Sequence, residues 1–231
     1  MTEEAKKLYR EIKAFTLWAD NNFPMWDEEH DNGEWEIGTD NHFDEMVSAA
    51  GEVISNTDFA DADEGLIDAM LFVVARDNES EILADELLKH EGWFTLLAKS
   101  SLGSKYVNAQ WQFAKRIGEI EECKTLVYDF IKSDHEYTSR MALDTMADIY
   151  QDKAEEYAVL FWDRGKYPEG SYEDEYQKIM TLHVLHRIGS MRLEEYLDKA
   201  MLTSYKYLKE NAEEIRKQKV SRHPITARWI S

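Results

Sequence analysis

The sequence predicts an all-α protein, on the evidence of helix-capping signals, helical spacing of apolar residues and a shortage of helix breakers. The chain has 231 residues, of which only three are proline and ten are glycine. Ser133 and Glu136 have the Ser-x-x-Glu spacing of a capping box, and the same spacing of polar residues recurs at Asp152 and Glu155. We therefore expect roughly 10–12 helices, with a helical hairpin over residues 133–164.

A similar three-residue motif recurs along the second half of the chain. Arg116-Ile117-Gly118, Asp148-Ile149-Tyr150 and Arg187-Ile188-Gly189 each fall at the predicted end of a helix, so that the Ile recurs after 32 and then 39 residues (149 − 117 and 188 − 149). Recurrence at this period is typical of two-helix units that stack on one another. Residues 139–149, with Arg140, Ala142 and Leu143, resemble the second helix of a HEAT-like repeat. The resemblance covers roughly residues 104 to 205 and implies an α-α superhelix of HEAT/armadillo-like hairpins.

The remaining helices follow from apolar periodicity. We expect α-helices over 2–18, 43–55, 61–76 (capped by Asp61), 78–90, 91–101, 104–118, 119–132, 133–150, 152–164, 171–189 and 191 to about 217. The prediction is one elongated domain over 1–231, in which 1–60 is an acidic cap with a loop, 61–215 are stacked hairpins and 216–231 are a basic tail. Cys123, the only cysteine, excludes an intrachain disulfide and is expected in the core.

Negative charge is concentrated near the amino terminus. The net charge is −20, and the stretch between Ala14 and Ala75 holds sixteen acidic residues but no Lys or Arg. Such a region repels nucleic acid and anionic membranes and attracts cationic proteins. A solvated, solubilising face is the alternative interpretation. The chain lacks a signal-peptide pattern and a long apolar run, which indicates a cytoplasmic protein.

Two sets of residues are predicted to contact a partner. The first is the acidic loop and the helix after it, where the two tryptophans belong either to the core or to an interface; its members are Trp26, Asp27, Glu28, Glu29, Asp31, Glu34, Trp35, Glu36, Asp40, Asp44 and Glu45. The second comes from aligning the repeats by their Ile, because equivalent positions of stacked helices face each other; its members are Gln112, Asp144, Asp148 and His183. The same alignment places Asp148 between Arg116 and Arg187, as part of an ion-pair ladder.

Motifs of catalysis are scarce. His90-Glu91 and His135-Glu136 resemble the metal-binding pairs of the deoxyhypusine hydroxylases, but two pairs are too few for that family's site, and we expect no metal and no cofactor. The leading hypothesis is a non-enzymatic protein-binding module, most concretely an immunity protein or antitoxin that neutralises a cationic bacterial toxin, expected to be a nuclease, through an acidic surface. The chain resembles acidic immunity proteins in size, charge and lack of catalytic motifs. An enzyme or lyase with a site around Gln112, Asp144 and His183, and a generic scaffold or adaptor, are the alternatives.

Overall fold

The computed structural model of the chain describes residues 1–23 and 41–222, with side chains to residue 218, and most of this part is helical. This part contains twelve α-helices and no strand, so the all-α prediction is confirmed. None of these helices combines the length and the apolar character needed to cross a membrane. The α-helices are α1 (Glu3–Asn22), α2 (His42–Asn56), α3 (Glu64–Arg76), α4 (Ile82–Leu87), α5 (Glu91–Ser101), α6 (Val107–Arg116), α7 (Val127–Phe130), α8 (Glu136–Ile149), α9 (Gln151–Asp163), α10 (Tyr172–Arg187), α11 (Leu193–Leu202) and α12 (Lys206–Arg222).

The capping signals located most helix starts to within a few residues. Ser171 caps α10, since its Oγ accepts a hydrogen bond from the Asp174 backbone N–H at 3.2 Å. For α3 the predicted cap was wrong: the cap is Asp63, whose Oδ1 accepts from the Leu66 N–H at 2.8 Å. Asp61 instead ends a 3₁₀ turn at Phe59–Asp61, and the extended backbone that an N-cap needs is found at Asp63.

Two predicted helices are interrupted. The segment predicted as a helix over 119–132 contains the end of a 3₁₀ turn, Ile117–Glu119, a second 3₁₀ segment, Glu121–Leu126, and the short α7. The segment from 191 to about 217 is broken between α11 and α12. The break is stabilised by Glu175 of α10, whose Oε1 accepts from the Leu208 N–H at 2.9 Å and so caps α12 from a distant helix.

Contacts divide the chain into two compact units, Met1–Thr145 and Met146–Ser231. In the first unit α1 and α2 run antiparallel, because Lys7 pairs with Glu52 while the Phe15 ring lies 6.4 Å from that of Phe43. Helix α3 is buried all round from Ala69 to Arg76, where its sequence is almost entirely apolar. The prediction of one elongated domain stays a prediction.

Helices α3 and α6 of the first unit run parallel. The Tyr106 hydroxyl donates to Asp68 at 3.3 Å, and Gln112 Nε2 donates to the Val74 carbonyl at 2.6 Å. Both contacts join residues 38 apart in sequence, and a constant offset is the mark of parallel neighbours. Cys123 is fully buried, which confirms its predicted place in the core.

In the second unit α9 and α10 run antiparallel, whereas α10 and α12 run parallel. The contacts that show this are Thr181 with the Ala158 carbonyl, Arg164 with Gln177, Glu175 with Leu208, and His183 with Asn211. Helix α10 ends in a Schellman motif: the Ser190 N–H donates to the Leu185 carbonyl at 2.9 Å, and Gly189 has φ +67°. The repeated Arg-Ile-Gly motif therefore marks the end of a helix at this position.

One predicted contact between repeats is present. Arg187 Nη1 lies 3.3 Å from Asp148, and the pair is separated by 39 residues, the interval that the Ile alignment gave. Arg116, the other predicted partner, forms ion pairs with Glu81 and Asp85 within the first unit. The α-α superhelix as a whole stays a prediction.

Candidate functional site: the acidic set of the first unit

Nine of the sixteen carboxylates between Ala14 and Ala75 lie in the part of the chain that the structure describes. We call them the acidic set: Asp20, Asp44, Glu45, Glu52, Asp58, Asp61, Asp63, Glu64 and Asp68. All except Glu52 are exposed. Asp44 and Glu45 begin α2, and Asp58 to Asp68 surround the start of α3.

The acidic set has almost no cationic partner. Within residues 1–23 and 41–218, only Glu52 forms an ion pair, with Lys7 at 2.6 Å. Elsewhere ion pairs are common, and carboxylates that form them are Glu81, Asp85, Glu86, Glu121, Asp129, Glu136, Asp148, Glu156, Asp174, Glu195, Asp198 and Glu210. The negative charge of the acidic set is therefore not neutralised by the described part of the chain.

Helix ends stabilise several of these carboxylates in place of cations. Asp58 Oδ1 accepts from the Ala60 N–H at 2.9 Å, and Asp63 caps α3 as described above. Asp44 and Glu45 lie in the first turn of α2 and Glu64 in that of α3, where the helix dipole favours negative charge. These interactions hold the carboxylates while leaving them exposed.

Most of the first predicted contact set falls outside the described residues. These are Trp26, Asp27, Glu28, Glu29, Asp31, Glu34, Trp35, Glu36 and Asp40. Asp44 and Glu45 are exposed, as a contact residue must be.

The second predicted set is not an open surface. Gln112 has no exposed area, and its amide donates to the carbonyls of Val74 and Asn108. It is therefore a core residue that joins α6 to α3, and the prediction that it contacts a partner is wrong. Asp148 is exposed but paired with Arg187, and the exposed His183 lies with its Nε2 2.8 Å from Asn211 Oδ1. Asp144 is half-buried.

A cavity of about 260 Å³ adjoins the acidic set in the first unit. It lies where the start of α1, the end of α2 and the start of α3 meet, and its lining is Met1, Thr2, Ala5, Tyr9, Thr57, Asp61, Asp63 and Leu66. Burial, with the nearby charges of Asp63 and Asp68, raises the pKa of Tyr9, so its hydroxyl stays protonated at neutral pH. Sequence analysis missed this cavity, because its polar residues come from three separate segments.

The second unit has a larger cleft, of about 710 Å³, lined in part by Trp162, Tyr167 and Tyr205. Its buried carboxylate, Asp174, accepts hydrogen bonds from the Tyr205 hydroxyl and from Lys178. The same hydroxyl accepts from the Gly170 N–H at 2.7 Å, and burial together with the bond to Asp174 raises the pKa of Tyr205. This network fastens the loop before α10 to the start of α12. A structural role is therefore enough to explain why the Asp174 carboxylate is buried.

The described residues contain no cluster of three or more His, Cys, Asp or Glu side chains that could hold a metal ion. His90 Nε2 lies 3.6 Å from Glu86, one helical turn away, and His135 is an exposed residue beside the start of α8. Among the described residues, neither His-Glu pair is therefore joined by the further His, Cys, Asp or Glu side chains that a metal site would need.

The chain matches no family model, and searches of curated proteins and of solved structures gave no significant match either.

Proposed function

We propose that the protein is a non-enzymatic binding module, and most concretely an immunity protein or antitoxin that neutralises a cationic bacterial toxin. The observation that carries the proposal is the state of the acidic set: eight of its nine carboxylates have no ion-pair partner in the described part of a chain with net charge −20. Exposed carboxylates without counter-charges favour a basic protein as the partner.

The physics of association fits this role. Opposite charge accelerates encounter from about 10⁵–10⁶ M⁻¹s⁻¹ toward about 10⁸–10⁹ M⁻¹s⁻¹ at low salt. A toxin that acts on nucleic acid must present a basic face to phosphates, and the exposed carboxylates of the acidic set offer that face a competing anionic surface. Blocking that face inhibits the toxin without any chemistry on the part of the inhibitor.

The structure offers little support for an enzyme at the second predicted set. Gln112 is committed to the core, and Asp148 and His183 contact Arg187 and Asn211. A generic scaffold would use the same exposed faces, so the identity and charge of the partner decide between that alternative and our proposal.

The experiment begins with cross-linking of the tagged protein in its source cells and mass spectrometric identification of the partner. Purified partner is then titrated against the wild type and against a variant with Asp20→Asn, Asp44→Asn, Glu45→Gln and Glu64→Gln. We expect a basic partner, a steep fall of affinity with salt, and at least a tenfold loss of affinity in the variant. Expression of the partner alone should arrest growth, and co-expression should restore it.

A matched control removes the same charge from exposed sites outside the acidic set, with Asp152→Asn, Asp163→Asn, Glu122→Gln and Glu173→Gln. Asp152, Glu173 and Glu122 lie in first turns of helical segments, as Asp44, Glu45 and Glu64 do, so both variants lose comparable helix-dipole stabilisation. Equal loss of affinity in both variants, a neutral or acidic partner, or indifference to salt would each overturn the proposal.

A further inference from the structure

The cavity beside the acidic set is lined by oxygen-bearing and apolar side chains, and Met1, the residue that carries the amino terminus, is also part of its lining. The Asp61 carboxylate has no hydrogen-bond or ion-pair partner among the described residues, and the backbone N–H of Asp61 donates to the Asp58 carbonyl at 3.0 Å. Asp63 uses Oδ1 to cap α3 at 2.8 Å, which leaves its second oxygen available. Ala5 and Leu66, both buried, provide apolar wall.

Thr57 gives an independent sign that the cavity suits a polar ligand. It lines the cavity and is 9% exposed, yet its hydroxyl has no hydrogen-bond partner among the described residues. Its backbone is fixed, because its carbonyl accepts from Trp93 Nε1 at 2.9 Å. A buried hydroxyl without a partner loses the hydrogen bonds that it makes with water, and a donor supplied by a ligand would restore one of them.

Gly65 shapes the same site. A Cβ at this position would lie 3.0 Å from the Tyr9 hydroxyl and 3.4 Å from Asp63 Oδ1, so the bare glycine allows the phenol and the carboxylate to approach the first turn of α3 together. The Tyr9 hydroxyl thereby joins Thr57, Asp61 and Asp63 around one space. All four present oxygen lone pairs to a donor.

We propose that this cavity receives a lysine or arginine side chain of the cationic partner, an inference that rests on the proposed function. Two carboxylates attract the charge, the hydroxyls of Thr57 and Tyr9 accept remaining N–H donors, and the apolar wall contacts the methylene groups.

The test uses small analogues of the two side chains, so that it does not depend on the partner. Butylammonium and methylguanidinium are titrated into the full-length protein at constant ionic strength, and ¹H–¹⁵N chemical shifts are followed. We expect saturable shifts confined to the amides of residues 5–9 and 57–66, and the analogue that binds more tightly identifies the side chain. Tetramethylammonium, which has no N–H donor, should not produce them.

Variants separate the cavity from general charge. Asp61→Asn and Thr57→Val should each weaken binding at least tenfold, Thr57→Ser should retain it, and Asp20→Asn, which removes an exposed carboxylate outside the cavity lining, should leave it unchanged. Melting curves establish that each variant is folded. Equal effects of Asp61→Asn and Asp20→Asn, or the same shifts with tetramethylammonium, would overturn the inference.

The proposed function can fail separately. A basic partner whose affinity depends on the acidic set but not on Asp61 or Thr57 leaves that function standing and removes the cavity from it. Specific binding of an analogue, with no basic partner in cells, supports the cavity as a site for such side chains and contradicts the proposed function.

Discussion

Glu81 is the one described residue other than glycine with positive φ, at +54°, and it precedes α4. A left-handed backbone costs a residue with a Cβ about 1–2 kcal/mol. Its carboxylate offsets this cost by pairing with Lys115 at 2.9 Å and with Arg116 at 2.5 Å. The Lys115 pair is half-exposed and contributes about 0–1 kcal/mol, whereas Arg116 is mostly buried but keeps Asp85 as a second partner.

Replacement of Glu81 by alanine removes both ion pairs and keeps the strain, so we expect a loss of about 2 kcal/mol in the free energy of unfolding. Glycine removes the same pairs but relieves the strain, and Glu81→Gly should be more stable than Glu81→Ala by about 1 kcal/mol. Urea unfolding followed by circular dichroism at 222 nm measures the difference.

Lys13 provides the control, because it is exposed in the interior of α1 in the same unit. There the order reverses, and Lys13→Gly should be less stable than Lys13→Ala by about 1 kcal/mol. The strain argument is refuted if Glu81→Ala proves at least as stable as Glu81→Gly.

Three further predictions concern the backbone, the pH dependence and the cysteine. Gly189→Ala should lower the free energy of unfolding by about 1–2 kcal/mol because φ is +67°, whereas Gly51→Ala, in open space within α2, should raise it by up to about 1 kcal/mol; thermal unfolding that gives both the same sign contradicts this. The pKa of Tyr205 is raised above its ordinary 10.0, so its contribution to stability is complete below that pH and is lost as pH rises through the folded-state pKa; stability measured above about pH 10 should therefore fall less steeply in Tyr205→Phe. Burial raises the pKa of Cys123, and a thiol-specific disulfide reagent should label it slowly in the native protein and at once in urea; rapid native labelling would show that the thiol is accessible.

Local signals predicted the helices well because caps and apolar periodicity act over a few residues. The helix at Glu91–Ser101 has its predicted bounds, and Ser171 caps α10 as its sequence indicates. The break between α11 and α12 escaped prediction, since the group that caps α12 is Glu175, 33 residues before Leu208. A local pattern cannot report a cap that another helix supplies.

The sequence predicted the candidate site only as a concentration of negative charge. Aligning the repeats placed Asp148 opposite Arg187 correctly, but it treated Gln112 as an open position. The alignment tells which residues face a neighbouring helix and not whether space remains between them, and the Gln112 amide fills that space by binding the Val74 carbonyl. The cavity residues Tyr9 and Thr57 carry no motif at all, and only the packing of α1 against the end of α2 brings them together.

The way helix starts hold Asp58, Asp63 and Glu64 bears on how this surface can change. Because backbone N–H groups and dipoles stabilise these carboxylates, their retention needs no compensating lysine or arginine. Exposed positions between them can therefore exchange one side chain for another with little loss of folding stability. Under the proposed function, a surface supported in this manner is free to diversify toward new basic targets while the helices beneath it stay the same.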